Sequence, residues 1–338
     1  MSRLAARMGY YRVAAALIGC ALALEILRTQ AFAPGSFGRV ACTWGEIAFF
    51  AAAALPFLAG RARVQKAVGS RSMQLHHDSR GDGPALILLH AGICDSRMWQ
   101  PNLSRLGTDR RLVTYDMRGC GRSSWQTSGA FSHVDDLVAL LDHLAIERAA
   151  LVGASQGARV ALEAALEHPG RVGALCLVAP GIRAWDWSQQ IAAYNEREDE
   201  LLQEGDLDGV VELNLRTWVD GPSRDPAAVD PDVRALVGQM QRRIVDLWVE
   251  ASAVAGEPGP ERPLDPPART RLQEIAVPTL VVLGSLDQPD IGRTGGLLGA
   301  EIPGARAVTI DGVAHLPSLE QPDAFDELID SFLAALPG

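Results

Sequence analysis

Six short β-rich runs alternate with helical patterns over residues 85–90, 111–117, 149–153, 174–180, 278–284 and 305–311. No other feature limits the possible folds so strongly. Runs such as ALILL and TLVVL are apolar at nearly every position, as a parallel strand covered by helices on both faces requires. Between two of them, Ser132 with Asp135 predicts a capped helix start. Val134, Leu137, Val138, Leu141 and Leu144 follow at the spacing of one buried helical stripe. Residues 321–336 read as a closing helix, with Pro322 suited to its first turn. Alternation of this kind specifies an α/β fold on a mainly parallel sheet. The rhythm breaks once, between Gly181 and Ile275, where no central strand is visible. Helical patterns over 189–205, 208–218 and 232–254 lead there into a Pro/Gly-rich segment, EPGPERPLDPP. We read residues 182–275 as a helical cap, and 72–181 with 276–338 as the core that carries it.

Gly153-Ala154-Ser155-Gln156-Gly157 is a GxSxG motif directly after an apolar strand and before a helix. In that context the serine sits on a sharp, strained turn, and flanking glycines let neighbouring chain pass close by. The helix N-terminus beneath it offers free N–H groups to developing negative charge. A serine hydroxyl is a weak nucleophile and needs a base, normally a histidine held by a carboxylate. Of seven histidines, His76 and His77 fall on an early strand, His133 and His143 on one helix, and His168 at a helix end. His315, in Gly312-Val313-Ala314-His315-Leu316-Pro317, follows the last strand, where parallel sheets place their sites. Asp287, after the strand TLVVLG, is the natural orienter, and Asp290 is its rival. The turn His90-Ala91-Gly92-Ile93-Cys94 can aim a backbone N–H at an oxyanion, with Gln156 N–H as the second donor. Gly92 takes the first role in this reading, with Ile93 as the alternative, while His90 is read as structural. Ser155, Asp287 and His315 stand in the chain order expected of such a triad.

These marks together (LLHAG, YDMRGCGRS, VGASQG, VLGSLDQPD and GVAHLPSLEQP) give residues 72–338 a resemblance to the α/β-hydrolase family. Within it the chain is similar to cofactor-free haloperoxidases or perhydrolases and to 3-oxoadipate enol-lactonases. The resemblance implies an eight-stranded sheet with a lid inserted after the sixth strand. It also implies a serine hydrolase that cleaves carboxylic esters or lactones through an acyl-enzyme on Ser155, needing no metal or organic cofactor. Carbon–carbon bond hydrolysis or perhydrolysis with the same triad is the enzymatic alternative. A catalytically silent, membrane-tethered binding protein is the alternative of another class. Ala91 departs from the glycine usual after the strand-end histidine. Ser rather than Asp at position 155 argues against dehalogenases and epoxide hydrolases. Trp185, Trp187, Trp218 and Trp248 in the cap suggest an apolar small-molecule substrate, although packing of the cap explains them equally well.

Charge and cysteines narrow the partners. The formal net charge is −10, yet residues 1–71 carry +7 and the remainder −17. An acidic body is a poor partner for nucleic acid. The five cysteines are scattered without CxxC spacing, which indicates neither a zinc site nor a disulfide framework. Residues 13–27 and 40–60 are strongly apolar and flanked on their outer ends by Arg and Lys. That pattern fits a membrane hairpin with a cytoplasmic catalytic body. Three readings compete with it. One is a signal peptide ending at Ala31-Phe32-Ala33, which implies export. The second is a lipoprotein box at Cys20, and the third is a pair of soluble helices on a cytoplasmic protein.

Overall fold

Strand β2 (Ala85–Leu89) shows how an apolar run becomes a strand buried on both faces. Ile87 and Leu89 join one hydrophobic cluster while Leu86 and Leu88 join the other, because successive side chains point to opposite sides of a sheet. The computed structural model describes residues 75–125, 129–255 and 258–336. Its other strands are β1 (His77–Arg80), β3 (Arg111–Tyr115), β4 (Ala149–Ala154), β5 (Val172–Val178), β6 (Thr279–Gly284) and β7 (Arg306–Ile310). They form one sheet in the order β1-β3-β2-β4-β5-β6-β7. Only β1 runs antiparallel; register pairs such as Leu89 with Gly153 and Val178 with Val282 tie the parallel strands together.

Helices cover both faces. Helix α1 (His133–His143) begins as expected, with Ser132 Oγ accepting the Asp135 N–H at 3.2 Å. It buries Val134, Leu137, Leu140 and Leu141. Helix α2 (Gln156–Glu167) is buried from Gly157 through Leu166, between β4 and α1. On the opposite face, Phe325 of the closing helix meets the fully buried Trp99 at 6.1 Å between ring centres. Burying each such side chain contributes about 1.5–3 kcal/mol.

The described residues form a seven-stranded sheet, with the helical insertion after the fifth of these strands; the eighth strand of the expectation is not among them. The six runs read from the sequence are all present, with His77–Arg80 as the early strand; anything ahead of Leu75 lies outside the described residues. The membrane hairpin expected over 13–27 and 40–60 also lies outside them. Among the described residues no helix is long and apolar enough to cross a membrane.

Between β5 and β6 the chain forms α3 (Gln189–Glu204), α4 (Leu207–Asn214) and α5 (Pro231–Ala255). Helix α4 runs on into one π-helical turn, Leu215–Asp220. Residues 92, 155, 287 and 315 follow the carboxyl ends of β2, β4, β6 and β7, so one edge of the parallel sheet gathers all four.

Candidate active site

The turn between β4 and α2 holds Ser155 at φ +51°, ψ −107°, a backbone state that costs about 1–3 kcal/mol for an L-residue with a side chain. Surrounding bonds hold it there. Ser155 N–H donates to Val178 O at 2.8 Å, and Ser155 O accepts from Arg159 N–H at 3.1 Å. The motif's glycines answer to close approach. A Cβ on Gly153 would lie 2.3 Å from Gly157 O, and one on Gly157 would lie 2.3 Å from Leu89 O. No larger residue lets the turn fold back on itself and onto β2.

His315 Nδ1 lies 2.8 Å from Asp287 Oδ2, with the two side chains 2% and 3% exposed. A carboxylate there places the ring proton on Nδ1 and leaves the Nε2 lone pair for proton transfer. Asp287 Oδ1 accepts Gln288 N–H at 2.7 Å, which fixes the carboxylate plane. The two loops are laced together by Leu286 N–H on Val313 O at 2.9 Å. Asp290, the rival, is occupied elsewhere. It accepts from Ser188 N–H at 2.9 Å and Ser188 Oγ–H at 2.7 Å, and pairs with Arg293. It thereby anchors the start of α3 to the helix after β6. Ser155 opens onto the same pocket as Trp218, whose ring lies over His315. No hydrogen bond joins Ser155 Oγ to His315 here; catalytic bonds commonly tighten only once substrate is bound.

At the end of β2, His90 is buried and both ring nitrogens are used. Nδ1 donates to Ala91 O at 2.8 Å and Nε2 accepts Met117 N–H at 2.8 Å. Burial lowers its pKa, which keeps the ring neutral, as these bonds require. His90 shapes the turn. The N–H groups of Gly92, Ile93 and Gln156 find no acceptor among the described residues. The Gln156 side chain lies against Gly92, where a Cβ would come within 2.6 Å of its Oε1. The same amide pairs with His133 Nε2 at 3.1 Å. Burial pulls the pKa of His133 down to about 4, so this ring is neutral at physiological pH.

A cavity of about 420 Å³ opens beside Ser155. Its lining mixes the apolar Ile182, Trp187, Ile191, Trp218 and Ile291 with the charged Arg159, Arg183 and Glu261, so the expectation of an apolar pocket is met only in part; Trp185 and Trp248 do not line it. Arg159 bonds Glu163 at 2.9 Å and both oxygens of Glu261 at 3.0 and 2.9 Å, and Arg183 also reaches Glu261. Burial pushes Glu261 up, but Arg159, His133 and Arg183 together bring it below its ordinary value. Sequence reasoning missed this network. Its one local signal, the Arg159–Glu163 pair at i,i+4, ordinarily reads as a solvated helix face. Glu261 lies 102 residues from Arg159 along the chain.

Comparison with known proteins agrees with this architecture. The sequence pattern of the alpha/beta hydrolase family matches residues 86–328. A pimeloyl-[acyl-carrier protein] methyl ester esterase from Pectobacterium carotovorum is 30% identical, across 77% of this chain and 99% of that one. 3-Oxoadipate enol-lactonase 1 of Acinetobacter baylyi is 25% identical, across 75% and 90%. Among solved structures, the enol-lactonase from Burkholderia xenovorans LB400 superposes with a TM-score of 0.62 at 25% identity, covering 77% of this chain and 96% of that one. With the sheet order, the strained serine after β4 and a matched segment spanning most of its length, the chain belongs to the alpha/beta hydrolase family.

Proposed function

We propose that this protein is a serine hydrolase of small carboxylic esters or lactones, with Ser155, Asp287 and His315 as its triad. The observation that carries the reading is the buried Asp287–His315 pair at the sheet edge that also presents the strained Ser155. In this mechanism His315 Nε2 takes the Ser155 proton as Oγ bonds to the substrate carbonyl carbon, and the carbonyl electron pair moves onto oxygen. The N–H of Gln156, with that of Gly92 or Ile93, receives the oxyanion, aided by the N-terminal end of α2. The imidazolium returns its proton to the leaving alkoxide. Water, activated by the same ring, then cleaves the acyl-enzyme and restores Ser155. The esterase and enol-lactonase relatives support the ester or lactone class. The mixed lining supports a substrate that carries both an apolar body and a polar group.

In this reading residues 72–181 and 276–338 are the catalytic core and 182–275 are a cap that shapes the pocket. Residues 1–71 are a membrane anchor, on the strength of their two apolar stretches and flanking positive charge.

The test is hydrolysis of p-nitrophenyl esters of increasing acyl length by the native protein and by Ser155→Ala. Turnover lost by about ten-thousand-fold or more in the variant supports the nucleophile, and the chain-length optimum sizes the pocket. Turnover unchanged in the variant sinks the assignment. Absence of turnover and of fluorophosphonate labelling in a folded native protein favours the silent binding role.

A further inference from the structure

The π-helical turn at the end of α4 puts Trp218 over the histidine. The ring centres of Trp218 and His315 are 4.7 Å apart with planes at 43°, while Tyr194 meets the indole edge-on at 5.6 Å. A π-helical turn inserts a residue into a helix, and such turns often occur at functional sites. Here its carbonyls are held from both loops of the site. Gln288, next to Asp287, donates its side-chain N–H to Thr217 O at 2.7 Å. Arg224 donates to Val219 O and Asp220 O, and its other guanidinium edge reaches Glu320 Oε2 at 2.6 Å. Glu320 Oε1 in turn accepts the N–H of Ala314, the residue before His315. Tyr194 is fixed behind the indole by its hydroxyl bond to Asn214 Oδ1 at 2.8 Å. Core packing of a helical cap does not call for so many ties to the two catalytic loops.

We propose that Trp218 is a positioning residue that stabilises the charged form His315 takes on receiving the Ser155 proton. The inference rests on the triad reading above. As the Oγ–H bond breaks and the Nε2–H bond forms, a positive charge appears on the imidazole. The indole face beside it carries the negative lobe of the ring quadrupole, and the imidazole is itself buried, so the attraction is weakly screened. Trp218 also covers the ring, which is 1% exposed. The two contributions act in opposite directions on basicity: the π face favours the charged ring, whereas exclusion of water disfavours it. The charged groups around the histidine are Asp287 on Nδ1, the Glu320–Arg224 pair beneath its loop, and Asp220 with Arg216 and Arg234 on the turn and α5. Replacing Trp218 leaves all of them in place.

The experiment measures the rate of Ser155 labelling by a fluorophosphonate between about pH 5 and pH 9, using the full chain and its Trp218→Phe and Trp218→Met variants. Labelling needs proton removal from Ser155 and does not depend on knowing the substrate. Trp218→Met keeps an apolar cover without a π face. Its acid limb is expected to move to lower pH by about half to one and a half units, with a plateau several-fold slower. Trp218→Phe is expected to hold the native limb to within about half a unit. A limb that stays in place in Trp218→Met, or moves to higher pH as an imidazole opened to water would, overturns the proposal and leaves Trp218 as a cover only. Should Trp218→Met not fold, fluorinated tryptophans placed at this position keep the shape while weakening the π face. The limb then steps to lower pH with each fluorine, or the proposal fails. Native protein that is not labelled, or Ser155→Ala that is, would instead indict the triad reading.

Discussion

Asp287 accepts from His315 Nδ1, whereas Asp290 holds Ser188 and Arg293, so replacing each by Asn has a different consequence. In Asp287→Asn the amide no longer fixes the tautomer that exposes Nε2, and kcat is expected to fall about ten-thousand-fold with little change in folding. Asp290→Asn is expected to keep kcat within about tenfold and to lose roughly 1–3 kcal/mol of stability, because a buried acceptor for Ser188 is weakened. Ester turnover and denaturant unfolding on the two variants separate the roles. The motif and its spacing mark the region of the acid but not which of two carboxylates three residues apart faces the ring. That depends on the loop bond from Leu286 to Val313, a contact between chain segments with no local signature.

At the scale of elements, both hinges of the inserted helices converge on α2. Arg183 stands where the chain leaves β5, and Glu261 where it returns from α5; Arg183 pairs with Glu163 and Glu261 with Arg159, two and one helical turns beyond Ser155. The return segment is also joined to the start of α1 by Phe131 N–H on Pro260 O at 3.2 Å. Removing one charge from a largely buried cluster leaves its partners poorly compensated. Glu261→Gln is therefore expected to cost roughly 3 kcal/mol, the lower end for a broken buried pair. It should also speed amide exchange in residues 258–264 ahead of the sheet, as hydrogen-exchange mass spectrometry would read. Protection unchanged in this segment would mean that packing alone holds the hinge. Gly157→Ala tests the neighbouring turn. A Cβ placed 2.3 Å from Leu89 O forces β2 and α2 apart, and a loss of roughly 1–3 kcal/mol or more is expected in thermal unfolding.

For the molecule as a whole, His133 links stability to pH. Its folded pKa of about 4 lies below the ordinary 6.5, so between those values the unfolded chain binds more protons. Stability is therefore complete above about pH 6.5 and declines by up to roughly 3 kcal/mol as pH falls toward 4. His90, lowered by burial in the same direction, steepens the decline. His133→Gln is expected to flatten the slope of unfolding free energy against pH without abolishing it; an unchanged slope would rule His133 out as its source. The anchor reading of residues 1–71 makes a separate prediction. The full chain should remain with membranes through alkaline carbonate and leave with detergent, and release by carbonate would refute it.

The alternation of strand and helix and the GxSxG turn could be read along the chain because each depends on near neighbours. Strand burial follows from consecutive residues, and the demand for glycine at position 153 from backbone closeness within five positions. The partner of Arg159, the choice between Asp287 and Asp290, the pairing of Gln156 with His133, and the placing of Trp218 over His315 depend on segments 23 to 102 residues apart or on which way a loop turns. Such contacts are settled when apolar faces pack and buried charges must find partners. The charges and bonds involved are ordinary in the sequence, and only their burial together gives them their effect.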